Sequence, residues 1–127
     1  MNDNKKTILF VDDEKSLREA AEFALSYEGF EVITASNGED GVRLALEKKP
    51  DLIFLDLVMP KMGGVEALKE LRADEWGKNA EIIIVTVSDD MSMMAECIEY
   101  GANEYVLKND ISLRDVVKKA KMRLGGG

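Results

Sequence analysis

The chain has 127 residues, of which 46% are hydrophobic and 33% are charged, a length and composition typical of one globular domain with a buried core. Its formal net charge of −8 argues against a nucleic-acid-binding surface that covers the whole domain. No apolar stretch approaches the ~20 residues of a membrane span, and no signal-peptide core follows the polar first residues. The single cysteine, Cys97, cannot form an internal disulfide, which favours a cytoplasmic location.

The hydrophobic pattern predicts five short strands that alternate with helices along the whole chain. The predicted strands are the apolar runs Thr7–Val11, Val32–Ala35, Leu52–Leu55, Ile82–Val85 and Tyr105–Leu107. The third run is apolar at every position, which is typical of a central parallel strand covered on both faces.

Apolar residues three or four positions apart predict one helix after each strand. These residues are Leu17, Ala20, Ala21, Ala24 and Leu25; Val42, Ala45 and Leu46; Val65, Leu68 and Leu71; Met94, Cys97 and Ile98; and Leu113, Val116, Val117, Ala120 and Leu124. Asn37 is a candidate cap for the second helix, and Ser88, Asp89 and Asp90 are candidate caps for the fourth. Gly29 and Gly101 are candidate helix stops.

Five such units predict an α/β fold, a doubly wound parallel sheet rather than an eight-stranded barrel. The flavodoxin-like strand order 2-1-3-4-5 makes strands one and three neighbours, which would gather the acidic residues at their ends. We therefore predict this five-stranded order with five helices. Residues 6–124 are assigned to the domain, and residues 125–127, all glycine, to a linker, a frayed end or a cloning scar.

Polar side chains follow four of the predicted strands, at the edge where an open α/β sheet binds its ligands. They are Asp12 and Asp13 after strand one, Asp56 after strand three, Thr86 after strand four and Lys108 after strand five. Three carboxylates in one place repel one another, and Mg²⁺ relieves that repulsion because it prefers oxygen ligands. An Asp can also act as a nucleophile toward phosphorus, while an amine and a hydroxyl neutralise phosphoryl oxygens. The residues therefore predict a Mg²⁺-dependent site for phosphorylation of one carboxylate.

The motifs around these residues resemble the receiver domain of two-component response regulators. They are Phe10-Val11-Asp12-Asp13-Glu14, Leu55-Asp56-Leu57-Val58-Met59-Pro60, Thr86, and Tyr105-Val106-Leu107-Lys108, in the family's order and spacing. The resemblance implies a phosphorelay signalling domain, not an enzyme in the usual sense, which catalyses its own phosphorylation and slowly loses the group. The phosphoryl group would come from phosphohistidine on a sensor histidine kinase or a histidine phosphotransfer protein.

The resemblance also implies a separate role for each acidic residue. Asp56 would be the phosphoacceptor. Asp13 and Asp56 would bind Mg²⁺ directly, together with the backbone carbonyl of Val58, and Asp12 would hold the cation mainly through water.

The remaining motif residues would bind the phosphoryl group and report its presence. Lys108 would pair with the phosphoryl oxygens, Thr86 would turn toward them, and Tyr105 would then swing inward. This switch would be read on the face formed by helix four, strand five and helix five, by an effector domain or a second copy, without direct contact to nucleic acid or membrane.

Three positions depart from the family's usual pattern. Asn109 follows Lys108 where the family has proline in a cis peptide, and a cis bond before a non-proline residue costs about 3 kcal/mol. Gly63 lies in the turn after strand three and could loosen it. Val87 follows Thr86 where the family usually has alanine or glycine, which predicts restricted access to the acyl phosphate and therefore slower hydrolysis or a weaker response to small phosphodonors.

Other readings stay open at this stage. Asp12 and Asp13 could simply cap the first helix, and Lys108 could be a solvated surface lysine. A pseudo-receiver would bind partners without being phosphorylated. A hydrolase of the haloacid dehalogenase type would need a second Asp two residues after Asp12, where Glu14 stands, and a flavodoxin-type FMN site would need a less acidic first loop.

Overall fold

The computed structural model describes residues 5–125, which alternate between strand and helix from end to end. The strands are β1 (Thr7–Val11), β2 (Glu31–Ala35), β3 (Leu52–Leu55), β4 (Ile82–Thr86) and β5 (Glu104–Leu107). The helices are α1 (Lys15–Tyr27), α2 (Gly38–Lys48), α3 (Gly64–Ala73), α4 (Met91–Glu99) and α5 (Leu113–Leu124). All ten predicted elements are present, with β2, β4 and β5 each one residue longer than predicted. In the part of the chain that is described, no helix is both long and apolar enough to cross a membrane.

The five strands form one parallel sheet in the order β2-β1-β3-β4-β5, which confirms the predicted order. Val11 at the end of β1 lies opposite Leu55 at the end of β3, so the next residues, Asp12 and Asp56, leave the sheet side by side. The backbone N–H of Asp56 donates to the carbonyl of Val11 at 3.0 Å, which extends this pairing into the loop. Strand register therefore brings the two carboxylates together.

The sheet is covered on both faces. One hydrophobic cluster joins it to α2, α3 and α4, and a second joins it to α1 and α5. Every residue of β3 is buried, as the unbroken apolar run predicted. Phe10 and Phe54 from neighbouring strands pack with their ring centroids 5.6 Å apart on the α1–α5 side.

Two helix positions differ from the predicted apolar faces. Leu46 is exposed because α2 turns its small residues toward the sheet, and a Cβ on Gly41 would lie 3.0 Å from Val11 Cγ1. Ile98 is 63% exposed because its neighbour Cys97 is the residue of α4 that faces the core. Close approach of a helix to the sheet, rather than the apolar count alone, selects the buried face.

The predicted glycine tail begins as a helix end. Gly125 follows α5 with a φ of 81°, a left-handed conformation, and its N–H donates to the carbonyl of Lys121 at 2.8 Å. The assignment of residues 126–127 to a tail, and of the first four residues to a polar start without a signal peptide, lies outside the described residues.

Gly64 at the start of α3 supports the backbone of the acidic loop. A Cβ there would lie 2.1 Å from the carbonyl oxygen of Asp56 and 2.8 Å from Leu57 Cα. We expect Gly64→Ala to lower the free energy of unfolding by about 2–3 kcal/mol, measured by urea denaturation, because backbone atoms must move. Gly63→Ala is the control, since its Cβ would meet only the Leu57 carbonyl at 3.0 Å and should cost less. Equal stability of Gly64→Ala and the wild type would contradict this account.

Candidate functional site

The predicted acidic residues converge at the carboxyl edge of the sheet. One carboxylate oxygen from each of Asp12, Asp13 and Asp56 lies within 4.8 Å of the other two. Asp12 and Asp56 are 1% and 3% exposed, whereas Asp13 is exposed at the rim. The cluster therefore has a buried floor and an open side that faces solvent.

The two oxygens of Asp56 have different surroundings. Oδ1 accepts the backbone N–H of Leu57 at 2.7 Å and that of Val58 at 3.4 Å. Oδ2 lies 3.3 Å from Lys108 Nζ. The backbone thus fixes the orientation of the carboxylate through one oxygen and leaves the other beside the amine.

Lys108 supplies positive charge inside the cluster. Its Nζ lies 2.8 Å from Asp12 Oδ2 and 3.3 Å from Asp56 Oδ2, with Glu14 Oε1 at 3.9 Å. Burial alone would lower the pKa of Lys108, but the hydrogen bonds and charges of Asp12 and Asp56 outweigh it and raise that pKa. The amine reaches the acids although Asn109 replaces the usual proline, and the Lys108–Asn109 peptide is trans within a short 3₁₀ turn, Lys108–Asp110.

Burial dominates the ionisation of Asp12. Desolvation raises the pKa of its carboxyl above the ordinary value, and the contacts with Lys108 and with the Glu14 N–H only partly oppose this. Asp12 Oδ1 accepts the Glu14 N–H at 2.9 Å, and Arg18 Nη1 donates to the Asp12 carbonyl at 3.0 Å. Arg18 was not predicted as a site residue, although its place one turn into α1 is a weak signal that it could reach back to this loop.

The donor set suits a hard divalent cation. Three carboxylates face one amine, which leaves an excess of negative charge, and the oxygens are grouped closely enough to share an ion. Mg²⁺ takes oxygen ligands and usually only one or two carboxylates directly, with waters completing its octahedron. Asp13 and Asp56 with Asp12 behind them fit that pattern.

Thr86 and Tyr105 are joined to one another through Ser88. Thr86 is completely buried at the end of β4, and its Oγ1 accepts the Ser88 N–H at 3.3 Å. The half-buried Tyr105 donates its hydroxyl to the Ser88 carbonyl at 2.7 Å. Ser88 was predicted only as one of three candidate caps of α4, and the cap is Asp90. Ser88 is therefore a connecting residue that local pattern did not reveal.

Val87 lies between Thr86 and Ser88 in the chain and is at the surface. Its side chain is 59% exposed, beside the buried Thr86. The hydroxyl oxygen of Thr86 accepts the Ser88 N–H in this structure, and its contact with a phosphoryl group on Asp56 stays a prediction.

Comparisons with known proteins all point to one family. The family model described as the response regulator receiver domain matches residues 8–121. A probable transcriptional regulator, ycf27, of Guillardia theta is 38% identical over 84% of this chain and 41% of its own length. The alkaline phosphatase synthesis transcriptional regulatory protein PhoP of Bacillus subtilis is 39% identical over 93% of this chain and 48% of its own length. The chain thus spans about half the length of the curated relatives it matches.

Solved structures agree with the sequence relatives. A CheY-like response regulator receiver domain protein from Methanospirillum hungatei superposes with a TM-score of 0.88 at 26% identity, covering 95% of this chain and 94% of that one. A complex of CheX, CheY, BeF₃ and Mg²⁺ from Borrelia burgdorferi contains a chain that superposes with a TM-score of 0.81 at 26% identity, covering 92% of this chain and 87% of that one.

The raised pKa of Asp12 gives a pH-dependent prediction. The folded chain holds this proton more tightly than the unfolded chain, so the contribution favours folding in acid and is lost as pH rises from about 3.8 through the folded-state pKa. We expect Asp12→Asn to be more stable than the wild type at neutral pH in EDTA, and to lose that advantage as pH falls. Urea unfolding at a series of pH values measures this.

The exposed Asp13→Asn is the matched control and should change stability less. A neutral-pH loss of stability in Asp12→Asn would show that the ion pair with Lys108 outweighs the burial of the carboxylate.

Proposed function

The chain belongs to the response regulator receiver domain family of two-component signalling, and on that premise we propose that Asp56 is its phosphoacceptor. The observation that carries the proposal is the contact of Asp56 Oδ2 with Lys108 Nζ at 3.3 Å, beside the carboxylates of Asp12 and Asp13. A nucleophile, a cation for phosphoryl oxygens and a metal-binding acid pair thus lie within one cluster.

The phosphoryl transfer uses the unequal oxygens of Asp56. Oδ1 is held by backbone N–H groups, and Oδ2 attacks the phosphorus of a partner's phosphohistidine. A P–O bond forms while the P–N bond breaks, and its electron pair returns to the imidazole nitrogen of the donor. Lys108 moves its amine from the carboxylates to the oxygens of the transferred group, where opposite charge strengthens the hydrogen bonds.

Asp13 and Asp56, with the carbonyl of Val58, are the proposed direct ligands of Mg²⁺, and Asp12 is proposed to hold it through water. The cation, when bound, neutralises charge on the acids and on the phosphoryl oxygens. The description of the Borrelia burgdorferi complex names both Mg²⁺ and BeF₃, which supports such a site by similarity.

The proposed signal starts at Thr86. Phosphorylation adds about −1.5 to −2 charges at neutral pH, which attracts the Thr86 hydroxyl away from the Ser88 N–H. Because Ser88 also accepts the Tyr105 hydroxyl, the exchange alters both the position of Tyr105 and the loop that leads into α4. The switch is thus proposed to reach the face of α4, β5 and α5.

The partners follow from the family and its relatives. A sensor histidine kinase or histidine phosphotransfer protein is the proposed donor. Relatives described as transcriptional regulators are about twice as long as this chain, so an effector domain, or a second copy, is the proposed reader of the α4–β5–α5 face. The cytoplasmic location and the absence of nucleic-acid and membrane contacts stay predictions.

The pseudo-receiver alternative is not favoured. A receiver that no longer accepts a phosphoryl group would be expected to have lost acids or the lysine. Here Asp12, Asp13, Asp56 and Lys108 are all present and adjacent.

Intact mass after incubation with acetyl phosphate or phosphoramidate tests the proposal. With Mg²⁺ we expect one phosphoryl adduct that EDTA prevents and that Asp56→Asn lacks. Asp51→Asn, at an exposed acid before β3, is the control and should behave like the wild type. An adduct that persists in Asp56→Asn would reassign the site, and no adduct from either donor or from a phosphohistidine protein would favour the pseudo-receiver.

Val87 gives a second kinetic prediction. We propose that its branched side chain, next in the chain to Thr86 and exposed, restricts the approach of water and small donors to Asp56. Val87→Ala should then speed acetyl phosphate labelling and loss of the adduct severalfold. Time-resolved intact mass measures both rates. Ile98→Ala, which shortens a similarly exposed residue on α4, should change neither. Unchanged rates in Val87→Ala would remove the role of Val87 in access.

A further inference from the structure

α4 is the least firmly packed of the five helices. Its one buried residue is Cys97, whereas the other helices bury two to four residues each. Met91 in its first turn is 77% exposed, and Ile98 is 63% exposed. Few apolar contacts therefore hold α4, and its polar contacts decide which part of it can move.

The C-terminal end of α4 is held by Arg72 from α3. Arg72 Nε donates to the Tyr100 carbonyl at 2.9 Å and Nη2 to the Gly101 carbonyl at 2.7 Å, just after α4 ends. Its Nη1 donates to the carbonyls of Gly77 and Ala80, at 2.7 Å and 2.9 Å, in the segment that leads into β4. We call Arg72 and these four carbonyls the Arg72 clamp.

The clamp donates hydrogen bonds to backbone carbonyls at the C-terminal end of α4 and just beyond it. The last carbonyls of a helix lack partners within the helix and carry partial negative charge, so a guanidinium is favourable there. Lys69, one turn earlier on α3, adds an ion pair to Glu96 at 2.9 Å and places its amine 5.5 Å from the centre of the Tyr100 ring. Two cations of α3 thus hold the second half of α4.

The N-terminal end of α4 has contacts of a different kind. Asp90 caps the helix by accepting the N–H groups of Ser92 and Met93, which are neighbours in the chain. Ser88 bonds to Met93 Sδ, to Thr86 and to Tyr105. The hydrogen bonds of this end, among the described residues, are therefore with the residues proposed to move on phosphorylation and not with α3.

We propose that the Arg72 clamp makes the C-terminal end of α4 a fixed pivot, so that a change at Thr86 and Tyr105 moves only the N-terminal end of the helix. Arg72 is thus a positioning residue that acts through the backbone of α4 and lies away from Asp56. The direction of the signal depends on the proposed function, whereas the fixed end exists in the unphosphorylated chain.

Amide hydrogen exchange of the full chain, resolved by residue, tests the pivot. In the unphosphorylated wild type we expect amides of residues 98–102 to exchange roughly tenfold more slowly than those of residues 92–95. Arg72→Met should raise the rates at 98–102 by roughly tenfold and remove that difference. Arg72→Lys, with one point charge instead of a planar fork, should give an intermediate rate.

The controls separate the clamp from a general loss of an arginine. Arg43→Met removes an exposed arginine of α2 whose contacts are Asp40 and Glu47, and exchange in α4 should stay at the wild-type rate. If Arg72→Met does not fold, Arg72→Lys keeps the charge but loses the fork that binds four carbonyls, and should raise the rates at 98–102 severalfold.

Two results would overturn the pivot. One is exchange at 98–102 that is unchanged in Arg72→Met or, if that variant does not fold, in Arg72→Lys. The other is a phosphorylated wild type, verified by its mass adduct, in which both ends of α4 change equally. A chain that forms no adduct would contradict the proposed function, and the exchange rates of the unphosphorylated variants would still decide whether the clamp exists.

Discussion

The structure depends on a balance between buried carboxylates and one amine. β1 and β3 are neighbours, so Asp12 and Asp56 leave the sheet side by side, and their negative charges repel one another. Lys108, brought from the end of β5, places its charge between them. Burial of these carboxylates is unfavourable for folding, and the hydrophobic core compensates for it. Many proteins have functional sites that reduce stability in this way.

We propose that the same balance makes the cluster responsive. Lys108 is bound to carboxylates that a divalent cation and a phosphoryl group would also engage, so their arrival would change its partners. Ser88 connects the neighbouring Thr86 to Tyr105 and to the first turn of α4. A local change of charge can therefore alter the packing of a helix that buries little surface, while Arg72 keeps the far end of that helix in place.

The features predicted correctly from the sequence are those that the hydrophobic pattern and the sheet topology determine. Apolar runs, each followed by a polar residue, were enough to place the strands, their order and the meeting of Asp12, Asp13 and Asp56. Leu46 and Ile98 were predicted on apolar faces but are exposed, because contact with the sheet selects the smaller neighbours Ala45 and Cys97.

Ser88 and Arg72 could not be identified from sequence. The main-chain groups of Ser88 contact the hydroxyls of Thr86 and Tyr105, and no residue pattern marks a main-chain group for such a contact. Arg72 reaches carbonyls 28 and 29 residues away, and no side-chain pattern marks a carbonyl as an acceptor. The backbone conformation at Asn109 could not be predicted either, because it depends on where the fold places Lys108.

The first experiment is a crystal structure of the chain with Mg²⁺ and beryllofluoride, a phosphoryl mimic. We expect a cation bound to Asp13 and Asp56, the mimic on Asp56 Oδ2, and Lys108 Nζ moved from Asp12 to a fluoride. A structure in which Lys108 still bridges Asp12 and Asp56, with neither the cation nor the mimic bound, would contradict the proposed site.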